Sequence, residues 1–229
     1  DTWGWLQALQ RVAAANQGGV NGRVVNDAAT FVGTACSPAR PNQIDTLGAN
    51  NIMFVTAAGN TGNNNDEEKV RRYPCGYDRP TELCVTATDN NDRLPKWANY
   101  GPHTVDLAAP GVSIYSTLRK GAYGYLSGGS MASPQVAGAA ALILSAKPSL
   151  SACELKTDIP TSVAPLPPRV GQVPTGHRLG PRRAAPATRG RACGPRALTR
   201  PAPGRGRAHR RARRCCAPPR RPGGPRRSG

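Results

Sequence analysis

The chain has 229 residues, 38% of them apolar, and a formal net charge of +18. All 13 acidic residues lie in residues 1–160 beside 13 of the 31 basic ones, so the excess charge comes from 18 arginines in residues 161–229. The charge therefore describes an appended segment and gives no ground for reading the folded part as a nucleic-acid binder; a longest apolar run of nine residues, Val136 to Leu144, excludes a helical membrane span.

The chain begins at Asp1 without an initiating Met and without a charged and then apolar leader, so the true N-terminus is expected to lie upstream. Residues 1–40 read as a poorly defined segment. Trp5 to Ala15 has apolar residues at helical spacing, but Gly18, Gly19 and Gly22 interrupt the pattern and no clean strand follows. From Ile52 to Ala58 an apolar run closed by Gly59 and Asn60 predicts a strand buried on both faces. A polar loop follows, then strand candidates at Leu83 to Thr86, Val105 to Ala109, Ser113 to Thr117 and Tyr123 to Leu126, separated by Gly and Pro. Ser130 to Ala146 is apolar nearly all round, which for a helix implies burial within a domain. Pro134 sits in its first turn and Lys147-Pro148 ends it. Ser151 and Glu154 have capping-box spacing for another helix. Strands followed by a buried helix predict an α/β fold with a mostly parallel sheet.

Residues 180–229 form a tail of another kind. Arg, Pro, Gly and Ala supply 51 of residues 161–229, and Phe, Tyr, Trp, Ile, Met and Asn are absent there. Such a composition builds no core and is expected to be disordered, as a GC-rich reading frame outside selection would give. Seven cysteines, at 36, 75, 84, 153, 193, 215 and 216, are an odd set without zinc-like pairs. Cys75 and Cys84 are separated by a segment containing Gly76 and Pro80, and read either as a disulfide or as two buried thiols. The balance favours an oxidising compartment, secreted or endomembrane lumen.

Chemistry concentrates in two segments. Ala57-Ala58-Gly59-Asn60 ends a buried strand, where open α/β sheets place ligands. Ser127-Gly128-Gly129-Ser130 puts a hydroxyl at the amino end of a buried helix, whose unpaired N–H groups and dipole favour negative charge. Alone, Gly-Asn reads as an ordinary turn and Ser130 as an N-cap. Together they are what acyl transfer needs: a hydroxyl nucleophile, and the Ser130 N–H with the Asn60 carboxamide to hold an oxyanion.

In this order Phe54 to Asn60, Asn99-Tyr-Gly, Val105 to Gly111 and Leu126 to Gly138 resemble the subtilisin-like (subtilase) serine peptidases. The resemblance covers about residues 41–179, including Ser162 to Pro167 and Thr175 to Leu179, and implies part of a three-layer subtilisin-like fold. It implies that Ser130 is the nucleophile and Asn60 the oxyanion donor, that Ala57, Ala58, Gly59 and Gly128 line the substrate pocket, and that the substrate is a polypeptide. No cofactor is expected. Calcium occurs in loops of the family, and Asn63 to Glu68 and Asp89 to Asp92 offer oxygen ligands, but neither has EF-hand spacing and no metal ligand is assigned.

The departures are specific. The family runs Asp, His, Ser in chain order, yet no His precedes His103, which maps onto no catalytic position and reads as a solvated loop residue. Gly129 stands where Thr is usual and Gln135 where His is frequent. The expected function is a serine endopeptidase of which this chain holds the carboxyl-terminal part and is itself nearly inert. The alternatives are an inactive peptidase-like binding protein and, below it, non-specific nucleic-acid binding by the arginine tail.

Overall fold

The computed structural model of the chain describes residues 2–32, 38–161, 164–165 and 177–178. In chain order these form α1 (Thr2–Gln17), β1 (Val24–Asp27), β2 (Phe31–Val32), α2 (Ala39–Ala49), β3 (Met53–Ala57), β4 (Arg72–Tyr73) and β5 (Glu82–Thr88). There follow β6 (Leu107–Pro110), β7 (Ile114–Thr117), β8 (Tyr123–Leu126), α3 (Gly129–Ala146), α4 (Ala152–Thr161), β9 (Ala164–Pro165) and β10 (His177–Arg178). The principal sheet has the order β1-β3-β5-β6-β10-β9, parallel from β1 to β10 with β9 antiparallel at the far edge. The strands read from Ile52, Leu83, Val105, Ser113 and Tyr123 are β3, β5, β6, β7 and β8.

The strand period of two sorts the core into two layers, one on each face of the sheet. Met53 and Val55 of β3 pack with Leu83, Val85, Val136 and Leu155, and so against α3 and α4. Ile52 and Phe54, on the alternate face, pack with Leu9 of α1 and with Ile44 and Leu47 of α2. Burial of each such aliphatic side chain contributes roughly 1.5–3 kcal/mol.

Several elements occupy sequence where none was expected, β1 and α2 chief among them. β1 is four residues long and pairs in parallel with β3 from Val24↔Met53 to Asp27↔Thr56. Its two valines split between the layers, Val24 towards α3 and α4, Val25 towards α1 and α2. A segment this short becomes a strand because its neighbour supplies the hydrogen bonds. α2 buries Gln43, Ile44 and Leu47, with Pro41 in its first turn, where a missing N–H costs little. The segment before residue 41 thus adds one helix and one strand to the same sheet and core.

α3 departs from all-round burial. Ala132, Val136, Ala140 and Leu144 form its buried stripe, whereas Leu142 is 72% exposed. Among the described residues nothing packs against that outer face. The capping box, by contrast, forms as spaced. The Glu154 N–H donates to Ser151 Oγ at 3.2 Å, and Glu154 Oε2 accepts from the Ser151 N–H at 2.8 Å. The Ser151 hydroxyl also donates to Glu154 Oε2 at 2.6 Å, and that bond, with the one from the Ser151 N–H, holds the Glu154 carboxyl below its ordinary pKa. Cys75 and Cys84 are joined as a disulfide, with Cα atoms 5.2 Å apart, rather than standing as two thiols. No helix among the described residues is long and apolar enough to cross a membrane. The tail after Gly180 and Cys36, Cys193, Cys215 and Cys216 lie outside the described residues.

Candidate active site

Because β1, β3, β5 and β6 are parallel, their carboxyl ends share one edge of the sheet. Ala28 leaves β1 there, Gly59 and Asn60 leave β3, and Gly111 leaves β6. The amino end of α3 is brought to the same edge. The Gly128 N–H donates to the Gly111 carbonyl at 2.8 Å, and Gln135 Nε2 donates to the Pro110 carbonyl at 2.7 Å. Gln135 therefore ties the helix to β6, a role its sequence position did not reveal.

Asn60 and Ser130 are brought together. The Gly129 N–H donates to Asn60 Oδ1 at 2.8 Å, one residue from Ser130. A backbone N–H needs an acceptor, so this contact fixes which end of the carboxamide faces the helix and leaves Nδ2 as the outward donor. Nδ2 lies over Gly128, 3.1 Å from where a β-carbon on that residue would stand. The Met131 and Ala132 N–H groups bond back to the Gly128 carbonyl. The Ser130 N–H has no acceptor among the described residues, as expected in a helix's first turn. Two free donors, one carboxamide and one main-chain, thus flank a half-buried hydroxyl.

The glycines make that approach possible. A β-carbon at Gly129 would sit 3.3 Å from Ala57 Cβ and 3.4 Å from Asn60 Oδ1, so a Thr there would push the neighbours by a few tenths of an ångström. Gly111 is tighter still, with Ala87 Cβ at 2.6 Å and the Gly128 oxygen at 2.8 Å from the same hypothetical atom. Of the predicted pocket residues, Gly59 and Gly128 adjoin Asn60, and Ala57 packs beneath Gly129. Ala58 differs. Its side chain is in a core cluster with Cys75, Cys84 and Val105, its N–H bonds the Val85 carbonyl, and its own carbonyl accepts from Asn65. It supports the turn from within the core. Beside Ser130 a groove of about 340 Å³ runs between the β7–β8 hairpin and α3, lined by Ile114, Ser116, Leu126, Met131 and Pro134.

The Ser130 hydroxyl donates to the Ala28 carbonyl at 2.8 Å. An amide carbonyl orients a hydroxyl but is far too weak a base to remove its proton. Ala28 was not legible as a site residue because β1, which carries it to the edge, was not legible as a strand. His103 lies in the loop before β6, its N–H donating to Asp66 and its side chain exposed. In the two polar loops Asp66 accepts from the N–H groups of His103 and Thr104, and Asp89 from those of Asn91 and Arg93. No group of three or more His, Cys, Asp or Glu stands ready for a metal among the described residues.

The chain is similar to known proteins. A model described as the Subtilase family matches residues 6–189. Subtilisin DY of Bacillus licheniformis is 39% identical over 134 residues, covering 58% of this chain and 47% of that protein. A thermophilic serine proteinase of Bacillus sp. (strain AK1) is 47% identical over 93 residues, covering 41% of this chain and 21% of the other. The crystal structure of a cold adapted subtilisin-like serine proteinase superposes with a TM-score of 0.64 at 26% identity, covering 76% of this chain and 61% of its own. The chain spans about half, or less, of the curated relatives it matches. With the Asn60 turn and the Ser130 helix both inside a family match that takes in most of its length, the chain belongs to the subtilase family, a family of serine peptidases.

Proposed function

We propose that this chain carries the nucleophile and the oxyanion donors of a serine endopeptidase acting on polypeptides. The observation that carries the reading is the 2.8 Å bond from the Gly129 N–H to Asn60 Oδ1, which turns the Asn60 Nδ2 outward beside Ser130. Ser130 Oγ adds to the carbonyl carbon of a peptide bond, and the resulting oxyanion takes hydrogen bonds from Asn60 Nδ2 and the Ser130 N–H. The C–N bond then breaks, the amine leaves with a proton, and water hydrolyses the Ser130 ester.

The base that takes the hydroxyl proton comes from outside the described residues, since Ser130 faces only the Ala28 carbonyl. Family chain order places an Asp and then a His ahead of the Ser. The chain alone is therefore nearly inert, and the product of the intact transcript hydrolyses peptides. Labelling Ser130 with a fluorophosphonate tests this. Strong labelling of the longer product, absent from its Ser130→Ala variant, supports the reading. A longer product without the Asp and His motifs, silent towards the probe, refutes it.

A second reading, peptide binding without catalysis, draws on the same Ser130–Ala28 bond. Hydrolysis restored by adding the upstream segment to the chain rejects it. Non-specific nucleic-acid binding by residues 180–229 stays the lesser alternative. Its electrostatic origin predicts loss of binding as salt rises, and binding that persisted in high salt would contradict it.

A further inference from the structure

An oxyanion donor works only if it is held still before the charge develops, and Asn60 is exposed and sits in a turn entered through Gly59 at a φ of 114°. The side chain that holds this turn is Asn99, which is 0% exposed and lies on the loop before β6. The Asn99 N–H donates to the Gly59 carbonyl at 3.1 Å. Its Oδ1 accepts from the Thr61 N–H at 2.8 Å, from Thr61 Oγ1 at 3.0 Å and from the Asn63 N–H at 3.3 Å. Its Nδ2 donates to Oδ1 of Asn65, also 0% exposed, at 3.0 Å, and Asn65 Nδ2 donates to the Ala58 carbonyl at 2.8 Å. The Asn99 carbonyl is itself tied to β5 by Thr86 Oγ1 at 2.5 Å.

These bonds reach the main chain at residues 58, 59, 61 and 63, on both sides of Asn60 and nowhere else in that loop. Position 99 needs a group that both donates and accepts. An Asp would lose the donor to Asn65 and bury a charge. The fit is close in the other direction too, since a β-carbon on Gly59 would stand 2.7 Å from Asn99 Nδ2. Being fully buried, Asn99 touches no substrate. We propose that Asn99, with Asn65 behind it, is a positioning residue that fixes the orientation of the Asn60 carboxamide. Its bearing on hydrolysis rests on the reading of Asn60 as the oxyanion donor.

The Gly129 N–H reports on this directly, because its acceptor is Asn60 Oδ1. Amide hydrogen exchange of the full chain is compared for the parent, Asn99→Ala and Thr61→Ala, with Val85 and Ala87 of β5 as core references. Loss of orientation in Asn99→Ala is expected to speed exchange at Gly129 by about tenfold or more while Val85 and Ala87 stay within about threefold. Thr61→Ala, an exposed position that removes one donor to Asn99, is expected to speed Gly129 by about two- to fivefold. Unchanged exchange at Gly129 in Thr61→Ala overturns the proposal, including where Asn99→Ala does not fold. So does acceleration of Gly129 and the core by the same factor, which would mark a general loss of stability. In the hydrolytically competent protein, Asn99→Ala should then lower kcat about tenfold with KM unchanged. A Gly129 response with kcat unaltered keeps the positioning and overturns the oxyanion reading instead.

Discussion

The two ends of the parallel sheet concentrate polar groups by opposite means. At the carboxyl ends of β1, β3 and β6, Ser130, Asn60 and the Ala28 carbonyl are neutral, reachable and joined by ordinary hydrogen bonds. At the amino ends of β5 and β6, Glu82 is buried and Asp106 half-buried beside Lys156, whose ammonium lies 3.5 Å from Asp106 and 3.8 Å from Asp78. Burial raises both carboxyls, Glu82 to about 8, with Lys156 opposing the rise in each. Shifted ionisable groups are a common pointer to function, yet here they mark the end away from the serine. Glu82 Oε2 caps the Arg79 N–H, Asp106 Oδ2 takes the Cys84 N–H, and Arg79 is paired with Asp45, so these side chains fasten the turn that enters β5. A neutral hydroxyl beside a helix terminus needs no shifted pKa of its own. Its reactivity comes from a base and from waiting donors.

The comparison can be broken most directly at Ser130. In the hydrolytically competent protein, Ser130→Ala should lower kcat by about a million-fold, the scale found in subtilisin when its nucleophile is removed. A residual rate within tenfold of the parent would move the reacting group elsewhere. Next in size is Asn60→Ala, expected to cost about a hundred- to a thousand-fold in kcat, again on the scale found for this donor in subtilisin. Steady-state kinetics on a peptide substrate separates that loss from an effect on KM.

The amino end answers to pH instead. A carboxyl whose folded pKa is raised to about 8 contributes its full stability below the unfolded value near 4.5 and loses it progressively as pH rises towards 8. Glu82→Gln removes that ionisation. The fall in thermal stability between pH 5 and 8 should flatten by an amount on the order of a few kcal/mol, with a smaller slope left by Asp106. Melting curves at several pH values check this, and an unchanged slope would mean that Glu82 is not the group responsible. The same variant should leave Gly129 exchange as it was, keeping the two ends independent. The smallest expected effect is at Ser151→Ala, where loss of the capping box should cost about 0.5–2 kcal/mol at neutral pH without touching either end.

Several features needed only local sequence. The run from Ile52 to Ala58, closed by Gly59 and Asn60, marks β3 because a strand buried on both faces must be continuously apolar. Lys147-Pro148 ends α3 and Ser151 with Glu154 sets the start of α4, because helix ends are governed by which N–H groups lack partners, whereas Pro134, expected in the first turn, lies inside α3, which already begins at Gly129. The pairing of an Asn at a strand end with a Ser at a helix start was legible for the same reason.

The amino acids by themselves therefore determined the main strands and helices from Ile52 to Thr161, which hydroxyl and which carboxamide are the candidates for the site, and how charge divides between residues 1–160 and 161–229. Only the tertiary structure decided that Val24 to Asp27 is a strand, since four residues acquire that form from the hydrogen bonds of β3. It also decided that α3 leaves Leu142 exposed while its opposite stripe is buried, that Ser130 meets Ala28, and that Asn99 holds the Asn60 turn. Periodicity records how often a chain turns a side chain inward. It carries no record of which distant backbone will stand there to receive it, and contacts such as Ser130 with Ala28, 102 residues apart, exist only once the layers have packed.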